Sequence, residues 1–198
     1  MLVAFMMYCV AHRRRKVALW QPTDDDRDSF VKVEIDPIVD GRDAIDAVKK
    51  ARKSYGTAKD TMALKVFRGA VLHILGAKAA RAFRRITVDV SLLDEWDGMD
   101  AKVEKSSDPG TLAKGRLEGA PYPKFIGGTT PRIKGLSHVE TAEKNAQVQM
   151  RYHIVCKHCE VEHPLVFGSK SIQHGLKWEP GKPETAHHVC PHCRETIT

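Results

Sequence analysis

The stretch from Ile86 to Asp97, Ile-Thr-Val-Asp-Val-Ser-Leu-Leu-Asp-Glu-Trp-Asp, constrains this chain more than any other. Val88 to Leu93 reads as a strand, and so continuous an apolar run suits one buried on both faces, as in a parallel sheet. It ends on Asp94 and Glu95, and open α/β sheets bind their ligands at the carboxyl ends of the strands. Two adjacent acids at that place suit nucleotide hydrolysis. Asp94 would hold Mg²⁺, directly or through water, and Glu95 would orient and polarise the attacking water. The plainer alternative is a buried strand that stops at a charged turn.

The rest of the chain weighs between these readings. Its 198 residues allow one ordinary core and a small appendage. With 42% apolar and 29% charged residues it belongs to the globular class. A net charge of +7 favours a polyanionic partner. The amino terminus, Met1 to Ala11, is apolar on every side and is followed by His12-Arg-Arg-Arg-Lys16. That order is the reverse of a signal peptide, and the run is shorter than the roughly 20 residues that cross a bilayer. A buried helix is expected, with no membrane segment.

In chain order, helix Leu2 to Arg15 leads into a buried strand, Lys16 to Trp20. Thr23 caps a helix from Asp24 to Val39, whose early acids lie at the favourable end of the helix dipole and which Pro37 should end or kink. Gly41 to Thr61 is polar, and its Lys49, Lys50, Arg52 and Lys53 suit a solvated helix face or a DNA-backbone contact. Met62 to Phe67 and Ala70 to Leu75 flank Arg68-Gly69 as a hairpin. A short basic helix, Ala77 to Arg85, precedes the central strand. A weak helix spans Gly110 to Leu117, a strand Lys124 to Ile126, an amphipathic helix Leu136 to Gln147 and a strand Gln149 to Val155. Alternation of this kind predicts a three-layer, mainly parallel α/β sheet over residues 1–150, with a small module over 151–198.

The module carries Cys156-Lys-His-Cys159 and Cys190-Pro-His-Cys193, so four of the five cysteines form two Cys-x-x-Cys pairs. Such knuckles place four thiolates tetrahedrally around Zn²⁺ in a closed structural site, and the pattern argues against a secreted disulfide framework. Free thiols or a redox pair are the alternatives. His158, His163, His187, His188 and His192 lie nearby but are not needed as ligands. Cys9, within the first helix, reads as a small buried hydrophobe.

A second strand end, Gly128-Thr129-Thr130-Pro131, offers hydroxyls able to bond a phosphate or the lytic water, or simply a strand-to-turn transition. No Gly-x-x-x-x-Gly-Lys-Ser/Thr loop is present. Gly110-Thr-Leu-Ala-Lys-Gly115 is followed by Arg116-Leu117 and comes after the Asp-Glu strand, so it is not a phosphate loop. The expectation is a chain that begins just after that loop, with the first strand missing.

Taken in order, the motifs resemble the large subunit of phage terminase, of the lambda-type GpA group. They are the apolar helix with its basic end and Trp20-Gln-Pro-Thr-Asp-Asp-Asp26; Asp28-x-Phe-Val-Lys-Val-Glu-Ile-Asp-Pro37; Phe83-Arg-Arg85 leading to Leu93-Asp-Glu-Trp-Asp-Gly98; Leu112-Ala-x-x-Arg116; Gly128-Thr-Thr-Pro-Arg-Ile-Lys-Gly-Leu-Ser137; and the paired knuckles. The resemblance implies a RecA-like, ASCE-type P-loop ATPase core, here lacking its first strand and phosphate loop, followed by a zinc ribbon. It implies ATP, Mg²⁺ and Zn²⁺ as cofactors, with double-stranded DNA, a small terminase subunit and a portal or procapsid as partners. It also implies a homo-oligomeric ring in the host bacterial cytoplasm. By match, Asp94 is the Walker-B acid and Glu95 the catalytic glutamate, and Thr129 and Thr130 belong to the coupling motif. Gln21-Pro22-Thr23 sits where related translocases approach nucleic acid. Arg116 is a candidate charge-stabilising arginine, or the member of a surface salt bridge. The family's nuclease domain would follow the ribbon and is not in this sequence, so the chain reads as a terminase fragment. The competing reading is a non-catalytic zinc-ribbon protein that binds nucleic acid or a partner; a helicase of related core is disfavoured by the ribbon.

Overall fold

A computed structural model describes residues 2–41, 45–52, 60–105, 107–130, 133, 135–168 and 171–197. It has two compact units, Met1–Asn145 and Ala146–Thr198.

The first unit is built on a five-stranded sheet: β1 (Val17–Gln21), β2 (Leu64–Phe67), β3 (Ala70–Gly76), β4 (Val90–Leu93) and β5 (Lys124–Gly127), in the order β2-β3-β1-β4-β5. β3, β1, β4 and β5 are parallel, and β2 pairs antiparallel with β3 across the Arg68-Gly69 turn. Every residue of β1 and β4 is buried. Period-2 alternation sends Val17 and Leu19 to one face and Ala18 and Trp20 to the other.

Helices cover both faces. On one lie α1 (Leu2–Met7), α2 (Asp24–Phe30), α3 (Asp36–Val39) and α4 (Asp46–Arg52), which bury Met6, Val10, Val31, Ile35, Val39 and Val48 against Leu19, Leu72 and Leu92. The other face holds α5 (Pro109–Lys114) and short 3₁₀ turns, packed around Trp20, Phe83, Trp96 and Leu117. Trp20 stacks on Phe83 with centroids 4.9 Å apart, and its indole N–H donates to Ala82 O at 3.2 Å. That pair pins the segment that carries the chain from β3 to β4. The sheet is therefore a three-layer, mostly parallel α/β core.

Several elements differ from expectation. The first helix widens into a π turn at Tyr8–His12 and ends there, short of Arg15, with Arg14 at φ 53°. It is also not buried all round: Tyr8 is 49% exposed. Val3, Met7, Tyr8 and Ala11 face an open cavity of about 580 Å³ with Ile38, Ile45 and Val48. Thr23 accepts the Asp26 N–H as a helix cap, and the helix from Asp24 continues through a π turn (Val31–Ile35) to Val39. Pro37 falls just after the π turn and does not end the helix, which runs on to Val39. The basic helix before β4 shrinks to a 3₁₀ turn, Ala80–Phe83. α6 (His138–Lys144), capped by Ser137, is shorter than Leu136 to Gln147.

Arg52 is a clearer correction. Expected on a solvated face, it is 6% exposed. Its guanidinium bonds Asp60, Asp40 and Val66 O and lies over the Phe67 ring. Lys53 lies outside the described residues. A cation buried between α4 and β2 is costly, and it is tolerable here because two carboxylates share it. Arg52→Ala would leave both acids uncompensated and is expected to lower the unfolding free energy by about 3 kcal/mol in urea denaturation. A loss below about 0.5 kcal/mol would show that this clamp is ornamental.

The second unit holds two small sheets. One pairs β6 (His153–Val155) with β7 (Glu162–Pro164). The other orders β10 (Thr196–Ile197), β9 (Lys182–Val189) and β8 (Gly175–Glu179). β6 is shorter than the expected strand from Gln149.

Candidate functional site

β4 delivers its acids at the carboxyl end of the sheet. Asp94 N–H donates to Trp20 O on the β1 side, while Gly128 N–H donates to Leu93 O on the β5 side. Both neighbours are thus tied to the strand at the residue where it ends. Asp94 is half-buried, and the Gln21 amide N–H, from the end of β1, donates to Asp94 Oδ2 at 2.9 Å. Gln21 itself is 4% exposed. Glu95 is exposed and left-handed, at φ 51° and ψ 45°. That conformation is uncommon for a residue with a Cβ and costs about 1 kcal/mol.

The cause of the left-handed turn lies in the next residue. Trp96 is 6% exposed, stacked on His138 (5.7 Å, 5°) and edge-on to Phe125 (5.6 Å, 78°). It fills a slot between α5 and β5 that exists because residues 110 and 127 are glycine. A Cβ on Gly110 would come within 2.4 Å of the Trp96 ring, and one on Gly127 within 2.5 Å. Driving the indole into this slot turns the backbone at Glu95 and aims its side chain away from the core. Asp97 then locks the turn. It accepts from His138 N at 2.8 Å and Val139 N at 3.4 Å, and its own N–H donates to Thr129 Oγ1 at 3.3 Å.

Asp94 and Glu95 both line one open cleft of about 540 Å³, together with Gln21, Pro22, Thr23 and Asp26. Gln21-Pro22-Thr23 therefore faces the same space as the two acids. Glu34 is also in the wall, and no lysine or arginine is among the lining residues. A polyphosphate entering such a cleft requires a divalent cation and positive charge supplied from outside this lining.

The other anticipated residues stand elsewhere. Thr129 is next to the acids through the Asp97 N–H but does not line the cleft, and Thr130 is exposed. Pro131, Arg132 and Lys134 lie outside the described residues. Arg116 is at the opposite, amino end of the sheet, where its carbonyl accepts from Val88 N, and its Nε is buried without a partner among the described residues. Trp96, Asp97, Gly110 and Gly127 were not singled out as site residues, and Gln21 only as part of a Gln-Pro-Thr segment near nucleic acid. The one signal available for them was Trp-Asp following the acids, which without the fold reads as an ordinary turn.

In the second unit, Cys156, Cys159, Cys190 and Cys193 have sulfurs all within 4.8 Å of one another. The separations are 3.7 Å for Cys156–Cys193 and 3.8 Å for Cys159–Cys190. Zinc–sulfur bonds of about 2.3 Å give a tetrahedron an edge of about 3.8 Å, so the donor set fits Zn²⁺. The two knuckles are alike. His158 N–H and His192 N–H donate to Cys156 Sγ and Cys190 Sγ, each at 3.4 Å, and Glu160 and Arg194 close the turns at φ 59° and 66°.

Four thiols this close cannot all ionise without a cation. Desolvation raises the Cys190 thiol, yet the backbone N–H groups of Cys193 and His192 and the adjoining thiols bring it down to about 6. The Glu195 backbone favours the Cys193 thiolate, but desolvation and the three neighbouring sulfurs outweigh it and push that thiol up to about 12. No histidine joins the cluster among the described residues. His163 is buried and stacks on His188 at 5.4 Å. Cys9 is buried, and burial raises its thiol.

Together these features define a mainly parallel α/β domain with an acidic cleft at the strand ends, and a separate module with a closed four-cysteine centre. Residues 1–198 match the family model described as phage terminase large subunit gpA, ATPase domain, and the chain belongs to that family. It is 35% identical over 195 residues to the large terminase subunit of Escherichia phage lambda and 36% identical over 195 residues to that of Enterobacteria phage P21. In both cases the alignment covers 97% of this chain and 30% of the relative, so the chain spans under a third of those proteins. No solved structure matches it.

Burial alone would raise the Asp97 carboxyl, but the Ser137 hydroxyl and the His138 and Val139 N–H groups hold it below its ordinary value of 3.8. A carboxyl depressed on folding stabilises the fold above its unfolded value, and that contribution drains away as the pH falls through the folded one. Asp97→Asn is expected to be less stable than the parent at neutral pH and to converge on it as the pH falls below 3.8. A gap that does not change with pH would mean the carboxylate charge is not what caps α6.

Proposed function

We propose that this chain is the nucleotide-hydrolysing part of a viral DNA-packaging motor, working on double-stranded DNA with a RecA-like core. The observation that carries the reading is the placement of Asp94 and Glu95 at one cleft, at the carboxyl ends of parallel strands. Gln21 occupies Asp94 Oδ2, which leaves Oδ1 for Mg²⁺ or a water bound to it. The metal would supply charge neutralisation on the phosphates. Glu95, exposed at the cleft and held out by the left-handed turn, accepts a hydrogen bond from the attacking water and orients it. Thr129 acts on this pair indirectly, by fixing the turn through Asp97. Thr130 belongs to the same coupling segment. Arg116, far from its own subunit's cleft, is available only to something that approaches the other end of the sheet.

By family, the motor assembles as a homo-oligomeric ring in the host cytoplasm with a small terminase subunit and a portal or procapsid. The boundary near residue 150 separates the motor core from a ribbon whose Cys156, Cys159, Cys190 and Cys193 hold structural Zn²⁺. The uncharged-to-acidic lining of the cleft also supports a second reading: a zinc-ribbon protein of terminase ancestry that binds nucleic acid or a partner without turning over nucleotide.

In a terminase large subunit containing this segment, Glu95→Gln is expected to cut ATP turnover by about a hundredfold or more while fluorescent-nucleotide binding with Mg²⁺ persists. Undiminished turnover would remove Glu95 from the chemistry, and absence of Mg²⁺-dependent binding in the parent would favour the non-catalytic reading. Cys156→Ser should release zinc and unfold the second unit, since binding and folding are coupled in modules this small. Metal analysis together with circular dichroism checks it, and a zinc-free but folded parent would refute the structural-zinc assignment.

A further inference from the structure

Charge in the first unit is segregated along the strand direction. The carboxyl ends of the strands carry Asp94 and Glu95, with Asp24, Asp25 and Asp26 after β1. The amino ends of β1, β3 and β5 carry cations. Arg13, Arg14 and Lys16 precede β1, Arg68 precedes β3, Lys124 opens β5, and Lys114 closes the helix before β5. All six are exposed.

They are brought together, not merely near in sequence. The Arg14 side chain packs 3.7 Å from where a Cβ on Gly69 would be, against the turn that carries Arg68. The Cys9 thiol feels Arg15, Arg13 and Lys124 at once. The Lys16 carbonyl accepts from Asp89 N and Val90 N, and Lys124 N–H donates to Asp89 O, so the starts of β1, β4 and β5 are level. Lys114 Nζ lies 4.8 Å from the Phe125 ring centre. Arg15 is turned inward to structural use, bonding Tyr122 O at 3.1 Å.

None of the six exposed cations forms an ion pair with another described residue, whereas Arg27, Arg52, Lys65, Lys78 and Lys182 all do. The acids in the segments that build this rim are Asp89 and Glu118. Asp89 Oδ2 is already engaged by the Lys16 backbone N–H. Cations held together without counter-charge repel one another, a cost that an external polyanion relieves. The four strands span three spacings, roughly 14 Å, over which duplex DNA presents about eight phosphates.

We propose that the amino-end rim of the sheet is a binding surface for the phosphate backbone of duplex DNA, on the side opposite the acidic cleft. It rests on the reading that this chain works on DNA, and it adds where the duplex is held. Contacts from point charges at strand ends read no sequence, so the binding is sequence-independent and steeply salt-dependent.

The test uses the full chain without nucleotide, so that failure leaves the hydrolytic reading untouched. Fluorescence anisotropy with a short labelled duplex, between about 50 and 200 mM salt, should give a log–log slope of about −5. Arg14→Glu with Lys124→Glu should flatten the slope by about two and weaken binding on the order of tenfold or more. Lys32→Glu with Lys102→Glu makes the same change in net charge away from the rim, and should leave affinity within about twofold. Should the charge reversals disturb folding, Arg14→Asn, tolerated in a left-handed turn, with Lys124→Gln should still flatten the slope by about two. Equal losses in the rim and control pairs would overturn the proposal by reducing it to net charge. Unchanged duplex binding in the rim pair would overturn it as well. If in addition that pair abolished self-association in sedimentation, the rim would belong to a second copy of the chain.

Discussion

Trp96 reaches its slot only because Gly110 and Gly127 leave room for the indole on both sides. Much of the cleft follows from that fit. The ring buries apolar area worth a few kcal/mol, more than the roughly 1 kcal/mol of a left-handed Glu95, so the strained turn persists. With the backbone turned at residue 95, Asp94 stays on the ladder beside Trp20 and Gln21 while Glu95 leaves it. Two neighbouring acids thereby take up different surroundings, one half-buried and bonded to an amide, the other open to solvent.

The same sheet separates charge. Its parallel strands make one end of the domain chemically unlike the other, and the sequence exploits this by placing Arg and Lys before β1, β3 and β5 and Asp and Glu after β1 and β4. An antiparallel sheet with alternating turns could not sort residues this way, because each end would receive both strand starts and strand finishes.

How much of this could be read in the sequence depended on the range of the interactions. β1 and β4 were legible because strands buried on both faces are apolar throughout, and the β2–β3 hairpin because Arg68-Gly69 supplies the turn. The Thr23 cap was legible because its partner is three residues away. The four cysteines were legible because metal spacing is local within each pair. Arg52 was not, since a cation in a polar run reads as solvated until Asp40 and Asp60 are seen to converge on it. Nor was the first helix's open side, because apolar composition says only that a face can be buried. The clearance for Trp96 comes from glycines in two other elements, and Gly110 by itself read as nothing more than a weak spot in a helix. Gln21 read as part of a Gln-Pro-Thr segment, and only strand adjacency brings its amide to Asp94.

Asp97 gives the turn a mechanical character. Its carboxylate grips the first amides of α6 and its own amide is gripped by Thr129, so the loop after β4, the exit of β5 and the root of α6 form a short rigid linkage. A linkage of this kind has little backlash. A small displacement of the peptide at Glu95 has no slack loop in which to dissipate and would emerge as a swing of α6, the helix that closes the first unit.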